Sequence, residues 1–293
     1  MRVAVVDVGS NTVRLLVADV NGSELAVVHE ERAWVRLGAD VAQTGEISAD
    51  RLNAVSKAAT SFMTEARRRG CTWLDVLVAS PGRQAANAGE LVRSLEQASG
   101  VRVRVLGREE EARLGYQGAV CGAGPFDGMV AVCDVGGGST QLAVGFPDEA
   151  PAWMRSFDVG SLLLTAQSFE KDPPGKKAVS AAREQIRAQF DGLAVPLPGD
   201  ALAVGGSARA VRRLVGRTLG EDELRAAVAI LRKHSSRDTG QAFEIQPDRA
   251  STLLAGALIL TEVQRRLMVP LRVVTNGVRE GAVRELAQQH LAA

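Results

Sequence analysis

Residues 3–9 read VAVVDVG and residues 130–136 read VAVCDVG, so six of seven positions repeat at an offset of 127. Each copy runs from a β-branched apolar stretch through an aspartate into a polar glycine turn and then a second strand, Val13 to Val20 in the first copy and Gln141 to Gly145 in the second. A third extended segment follows each pair, at 24–37 and at 153–159. The same order of elements around the same heptapeptide indicates duplication. With 293 residues the chain has room for two domains of ordinary size. Any fold for it must therefore hold two copies of one strand–turn–strand unit.

Helical and extended segments alternate around those copies. Ser48 to Arg69 has helical spacing, with Leu52, Val55, Ala59, Phe62 and Met63 on one side, Ser48 as N-cap and Gly70 as stop. A strand at 74–79, a helix at 84–98, a strand at 101–106 and a helix at 109–120 follow. In the second half the pattern predicts helices at 177–191, 207–215, 222–234, 248–267 and 279–291, with strands at 201–205 and 271–275. This is an α/β chain. The glycine-rich stretch Gly122 to Gly128 marks the boundary, giving domains over 1–124 and 125–281.

Composition removes several classes. Lys plus Arg number 35 against 34 for Asp plus Glu, and apolar residues make up 46%, which is ordinary for a globular chain and unlike a disordered or collagen-like one. The net charge of +1 gives no global signature of DNA or RNA binding. Cys71, Cys121 and Cys133 form no CxxC pair, which argues against a disulfide framework or zinc knuckle. Asp7 interrupts the first apolar run too early for a signal peptide, and no run reaches the ~18–20 apolar residues that span a bilayer. The expectation is a cytoplasmic protein without membrane or specific nucleic-acid partners. His29, His234 and His290 lack metal-ligand spacing.

The chemistry is carried by glycine turns at strand ends. DVGSNT at 7–12 and DVGGGST at 134–140 can present successive N–H groups to an anion, with hydroxyls from Ser10, Thr12, Ser139 and Thr140. Asp7 and Asp134, at the two strand ends, can hold Mg²⁺ directly or through water. Neither turn is a Walker A loop or a GxGxxG fingerprint. Three further stretches matter: Gly107 to Arg113, with Glu109, Glu110 and Glu111; Val204 to Arg209, a strand-to-helix turn with Gly205, Gly206 and Ser207; and Thr275 to Gly281. The three glutamates either offset a helix dipole or supply a carboxylate that polarises water. Gly205, Gly206 and Ser207 either pack a turn or bind an anion at a helix start. Of the thirty arginines, against five lysines, only those beside a phosphate loop bear on phosphate recognition.

Taken in order, DVGSNT, EEARL at 110–114, DVGGGST, GGSAR at 205–209 and NGVREG at 276–281 resemble the exopolyphosphatase / guanosine pentaphosphate phosphohydrolase family, which belongs to the actin-like superfamily of sugar kinases and chaperone ATPases. The segment from Ser80 to Asn87 resembles the family's arginine-bearing stretch and puts Arg83 near the phosphates. The resemblance implies two ribonuclease-H-like (actin-like ATPase) domains with a cleft between them and a C-terminal helix, 282–293, packed back on the first domain; the 3–9 / 130–136 repeat predicts Asp7 and Asp134 facing each other across that cleft. It implies a phosphate-binding set of Gly9, Ser10, Asn11, Thr12, Gly136, Gly137, Gly138, Ser139, Thr140, Gly205, Gly206 and Ser207. It implies Mg²⁺ at Asp7 and Asp134, with Glu111 as base for water and Arg83 stabilising charge. The family often has glutamate after GGGST; here Gln141 occupies that metal position. The resemblance runs to about Gly281, so a further C-terminal helical domain is not expected. The implied substrate is inorganic polyphosphate, with pppGpp as alternative; a low-activity nucleotide-binding regulatory module and an actin-like kinase are the other readings, and a homodimer is an open assembly.

Overall fold

The computed structural model describes residues 1–22 and 24–291. In the first half, β1 (Arg2–Val8), β2 (Thr12–Asn21), β3 (Glu24–Trp34), β4 (Trp73–Val78) and β5 (Val103–Val105) form one sheet in the order β3-β2-β1-β4-β5. β1, β2 and β3 make an antiparallel meander, and β4 and β5 add in parallel on the other side of β1. The second sheet holds β6 (Val130–Val135), β7 (Thr140–Gly145), β8 (Trp153–Phe157), β9 (Asp200–Val204), β10 (Thr218–Leu219) and β11 (Leu271–Val273), in the order β10-β11-β9-β6-β7-β8. β6, β7 and β8 are antiparallel, while β9 pairs β6 and β11 pairs β9 in parallel. Strand for strand the two sheets share order and sense, and β10 is an added edge. The topology is ribonuclease-H-like twice over, the actin-like arrangement, and the repeated heptapeptide is the central strand of each copy.

The helices are α1 (Leu37–Thr44), α2 (Ala49–Arg68), α3 (Pro81–Gln84), α4 (Ala88–Ser99), α5 (Arg108–Val120), α6 (Ser161–Ser168), α7 (Lys176–Gln189), α8 (Gly205–Val215), α9 (Glu221–Lys233), α10 (Ser236–Ala242), α11 (Pro247–Ala250), α12 (Leu253–Leu267) and α13 (Val278–Leu291). They explain why β1 reads as an unbroken apolar run. Ala4, Val6 and Val8 pack toward α2 and α4, while Val3 and Val5 pack toward Leu114 of α5 and Ala282, Val283 and Leu286 of α13. Both faces are covered, so the polar half of the usual alternation is missing.

The sequence pattern differs from the structure where helices are short. Segments α1, α6 and α10 were not anticipated, each being eight residues or fewer. The extended segment expected to reach residue 37 ends at Trp34, and the chain turns at Arg36 in the left-handed region, φ 50°, into α1. The single helix expected over 84–98 is two, because Ala85 takes an extended backbone between α3 and α4. The helix expected over 248–267 breaks at Ser251 and Thr252. Residues 292 and 293 of the expected C-terminal segment lie outside the described residues. No helix among the described residues is long and apolar enough to cross a membrane.

One helix crossing fixes the geometry of the site. A Cβ on Gly118 of α5 would overlap the carbonyl oxygen of Gly277 and sit 2.7 Å from the nitrogen of Gly281, and a Cβ on Gly281 would overlap the carbonyl oxygen of Leu114. The α5 and α13 backbones therefore touch, which no side chain at either position permits. This seats the start of α13, with Arg279 and Glu280, beside the middle of α5.

Candidate active site

Both glycine turns open on one cleft of about 640 Å³ between the sheets. Asp7, Gly9, Ser10, Asn11 and Thr12 line it from the first copy, and Asp134, Gly136, Gly137, Gly138, Ser139 and Gln141 from the second. Gly205 and Gly206, at the start of α8, and Glu111, in the first turn of α5, complete the set expected from sequence. The turns press on each other. A Cβ on Gly138 would lie 2.5 Å from Ser80 Oγ and 2.7 Å from Ser10 Oγ, so the triple glycine serves close approach of the two halves. Across the same seam Gln84 Nε2 donates to the Gly138 carbonyl at 3.1 Å, and Arg108 pairs with Asp158 at 2.6 Å.

Three expected residues lie elsewhere. Thr140 does not line the cleft: side chains alternate along β7, so Ser139 and Gln141 face it while the Thr140 hydroxyl donates to the Val159 carbonyl at 2.6 Å. Ser207 is turned by the α8 helical rotation away from Gly205 and Gly206, and packs against Gly256 of α12. Arg83 is not among the lining residues either; its guanidinium donates to the Leu106 carbonyl at 2.6 Å and to Glu111 Oε2 at 2.7 Å. In this geometry Arg83 orients Glu111.

Glu111 is 8% exposed, and its first-turn neighbours have different surroundings. Glu110 accepts the backbone N–H of Gly107 and so caps the helix. Burial pushes the Glu111 carboxyl up to about 7; Arg83 pulls it down, and Asp134 and Asp7 push it further up. Asp134 is raised to about 6 by burial, against the pull of Arg209 and with the push of Asp7. Asp7 is also raised, first by burial. The two aspartates feel arginines only at a distance, and among the described residues no hydrogen bond stabilises their charge.

That condition tests whether a divalent cation fits. Two half-buried carboxylates share one cleft and repel one another, and a Cβ on Gly205 would overlap Asp134 Oδ1, so the turn leaves this oxygen room. Gln141 Nε2 donates to Ser139 Oγ at 2.9 Å and to Ser156 Oγ at 3.1 Å, leaving Oε1 as its free end. An all-oxygen donor set of this kind suits a hard cation such as Mg²⁺.

Arginines are what the sequence reading under-counted. Seven line the cleft: Arg14, Arg32, Arg209, Arg212, Arg213, Arg249 and Arg279. Arg279 pairs with Glu30 at 2.8 Å and Glu280 at 3.4 Å, and Arg213 meets Glu244 at 4.0 Å. Among the described residues the other five pair with no carboxylate. Burial first, then repulsion from Arg279 and Arg209, lowers Arg14 to about 9; burial, then Arg209 and Arg32, lowers Arg249 to about 10. Arg14 and Arg209 each stand two residues beyond a glycine-turn residue already singled out, Thr12 and Ser207, so proximity in sequence to a phosphate loop could have found them. Arg32 and Arg249 come from β3 and α11 and carry no such signal. Both amide atoms of Asn11 and the Ser80 hydroxyl, which also line the cleft, are buried without a partner. Such groups are costly unless a ligand satisfies them.

Known proteins align with this chain over almost its full length. Exopolyphosphatase 1 of Mycobacterium tuberculosis is 28% identical over 97% of the chain and 87% of its own length. A Ppx/GppA protein from Aquifex aeolicus superposes with a TM-score of 0.83 at 24% identity, covering 99% of this chain and 98% of that one. An exopolyphosphatase from Cytophaga hutchinsonii superposes with a TM-score of 0.90 at 17% identity, covering 99% and 98%. These likenesses at low identity show a shared fold. The profile of the Ppx/GppA phosphatase family matches residues 16–290, and the chain belongs to that family.

Proposed function

We propose that the chain is a cytoplasmic, Mg²⁺-dependent exopolyphosphatase that removes the terminal phosphate of inorganic polyphosphate. The observation that carries this reading is the charge of the cleft: five arginines that pair with no carboxylate among the described residues line it together with the buried Glu111, and no Phe, Tyr or Trp is among the lining residues. Such a cleft seeks a long anion and offers no ring on which a nucleobase would stack. The Trp34 ring lies near Arg32 and Arg249, at 5.6 and 5.8 Å from their guanidinium carbons, outside the lining.

Phosphoryl transfer to water asks mostly for positioning and charge neutralisation. The turns at Gly9–Thr12 and Gly136–Ser139 hold the terminal phosphate through N–H and hydroxyl donors, with Asn11 and Ser80 supplying the unpartnered groups. Asp7, Asp134 and Gln141 Oε1 would hold Mg²⁺, whose bound charge offsets that of the phosphate oxygens. Glu111, steadied by Arg83, accepts a proton from water as the water oxygen bonds to phosphorus. The anhydride P–O bond breaks, and its electron pair stays on the shortened chain, where the arginines stabilise it.

Incubation with Mg²⁺ and polyphosphate, pppGpp or ATP tests the reading by phosphate release. Release from polyphosphate is expected. Release from pppGpp alone would transfer the assignment to that substrate, binding without turnover would make the chain a regulatory module, and ADP formed only with an added acceptor would make it a kinase.

Gln141 gives a second expectation. Gln141→Glu adds a charge beside the two aspartates, and Ser139 and Ser156 can rotate their hydroxyls to donate to it. The Mg²⁺ concentration for half-maximal activity is expected to fall. An unchanged midpoint in a Mg²⁺ titration would place Gln141 outside the metal's surroundings.

A further inference from the structure

The cleft does not stop at the two aspartates. Arg209, Arg212 and Arg213 all line it, and at spacings of three and four they share one face of α8. From Arg209 to Arg213 this face carries the cleft about 6 Å further along the helix axis. Glu244, Ile245, Gln246 and Arg249, which adjoin α8, line the same arm.

These arginines differ in what they already hold. Arg209 Nη1 donates to the Thr275 carbonyl at 3.2 Å, and Arg213 Nη1 donates to the Glu244 carbonyl. Both guanidinium groups thus brace a wall of the cleft. Arg249 lies across the backbone of Gly206, so tightly that a Cβ there would overlap its Nη2, and it pairs with no carboxylate among the described residues. Arg212 is exposed on α8 and has neither hydrogen bond nor ion pair among the described residues. Two guanidinium groups that pair with no carboxylate among the described residues therefore stand beyond the aspartates; the Trp34 ring lies 5.8 Å from the guanidinium carbon of Arg249 but is not among the lining residues.

Resting on the polyphosphatase reading, we infer that Arg212 and Arg249 form a distal anion subsite for the phosphates behind the one being removed, so that this arm sets preference for chain length. A terminal phosphate at the glycine turns places its neighbours toward Arg209 and Arg249, and only a longer chain extends to Arg212. The planar fork of each guanidinium suits two oxygens of a chain phosphate. A nucleoside in the same arm would meet Ile245 among the guanidinium groups but no lining ring on which its base could stack.

Arg212→Gln is the informative variant, because the residue is exposed and its loss threatens neither fold nor metal. KM and kcat are measured on tripolyphosphate and on a chain of several hundred phosphates. The expected result is a rise in KM of roughly five- to tenfold for the long chain, a clearly smaller rise for tripolyphosphate, and kcat kept for both. Calorimetric titration of the same two ligands into Glu111→Gln and Glu111→Gln/Arg212→Gln proteins repeats the comparison without turnover. Equal effects on short and long ligands, or none on either, would overturn the subsite. Absence of phosphate release from any polyphosphate by the unmodified protein would instead overturn the polyphosphatase reading, and the calorimetric pair would still decide whether Arg212 binds the chain.

Discussion

Replacing Glu111 with glutamine is expected to lower kcat on polyphosphate by roughly 10²- to 10⁴-fold, the usual worth of a general base. Polyphosphate affinity should be nearly retained. Glutamine keeps the size of the side chain and can still accept from Arg83, which holds Glu111 Oε2 at 2.7 Å. It cannot accept the proton of water. Glu109 and Glu110 are the internal controls: all three lie in the first turn of α5, where a carboxylate offsets the helix dipole by roughly 0.3–1 kcal/mol. Glu110→Gln should cost stability, because it weakens the bond to the Gly107 N–H, and should cost little rate. Equal and modest rate losses across the three variants would sink the catalytic assignment.

The same carboxyl predicts a pH dependence. Burial raises it to about 7 in the folded protein, from an ordinary value of 4.5. The base works only when ionised, so kcat should fall as pH drops below 7, by about tenfold per unit, and Glu111→Gln should lose that limb. Stability carries the opposite sign. A carboxyl whose folded value is raised contributes stability that is complete below about 4.5 and is lost as pH rises through about 7. Above pH 7 the parent bears the cost of a buried charge, and glutamine does not. The variant's thermal midpoint at pH 8 should therefore not fall below the parent's, which separates lost rate from lost fold.

The sequence showed the strands more fully than the helices, for a physical reason. A central strand covered on both faces shows itself as an apolar run, and its turn shows itself by glycine and aspartate; VAVVDVG and VAVCDVG carry both signals. Helix α1 is eight residues long and starts from a left-handed Arg36, which no propensity indicates. At the site, glycines, aspartates and Glu111 were legible because local turns position them. Thr140 and Ser207 were misplaced because a motif names residues while β alternation and helical rotation decide which of them face the cleft. Arg32 and Arg249 were not legible at all. They reach the cleft from β3 and α11: Arg249 comes beside Arg209 where α11 packs on α8 within the second half, and Arg32 only where the first half closes on the second.

Gly118→Ala should be among the most damaging single-methyl additions in this chain. Its Cβ would enter the Gly277 carbonyl, and backbone cannot rotate away as a side chain does. Overpacking typically costs roughly 1–3 kcal/mol and occasionally more; with α13 forced off α5, the upper end or beyond is expected. At about 2–4 °C per kcal/mol for a chain of this size class, the thermal midpoint should drop by roughly 6–12 °C. Gly115, one turn earlier on the same helix, is the control. Its added Cβ would meet Val278 Cγ2 at 3.5 Å, an ordinary contact, and alanine favours helix over glycine by roughly 1 kcal/mol. Gly115→Ala should be neutral or stabilising. The consequence for function follows from where α13 begins. Arg279 and Glu280 line the cleft only because the crossing seats the first turn of α13 there, with Glu280 accepting the Gly277 N–H at 2.7 Å. Gly118→Ala protein that remains folded at low temperature should therefore still lose activity, while Gly115→Ala keeps it. Similar melting curves and rates for the two variants would mean that the α5–α13 backbone contact is not what holds this edge of the cleft.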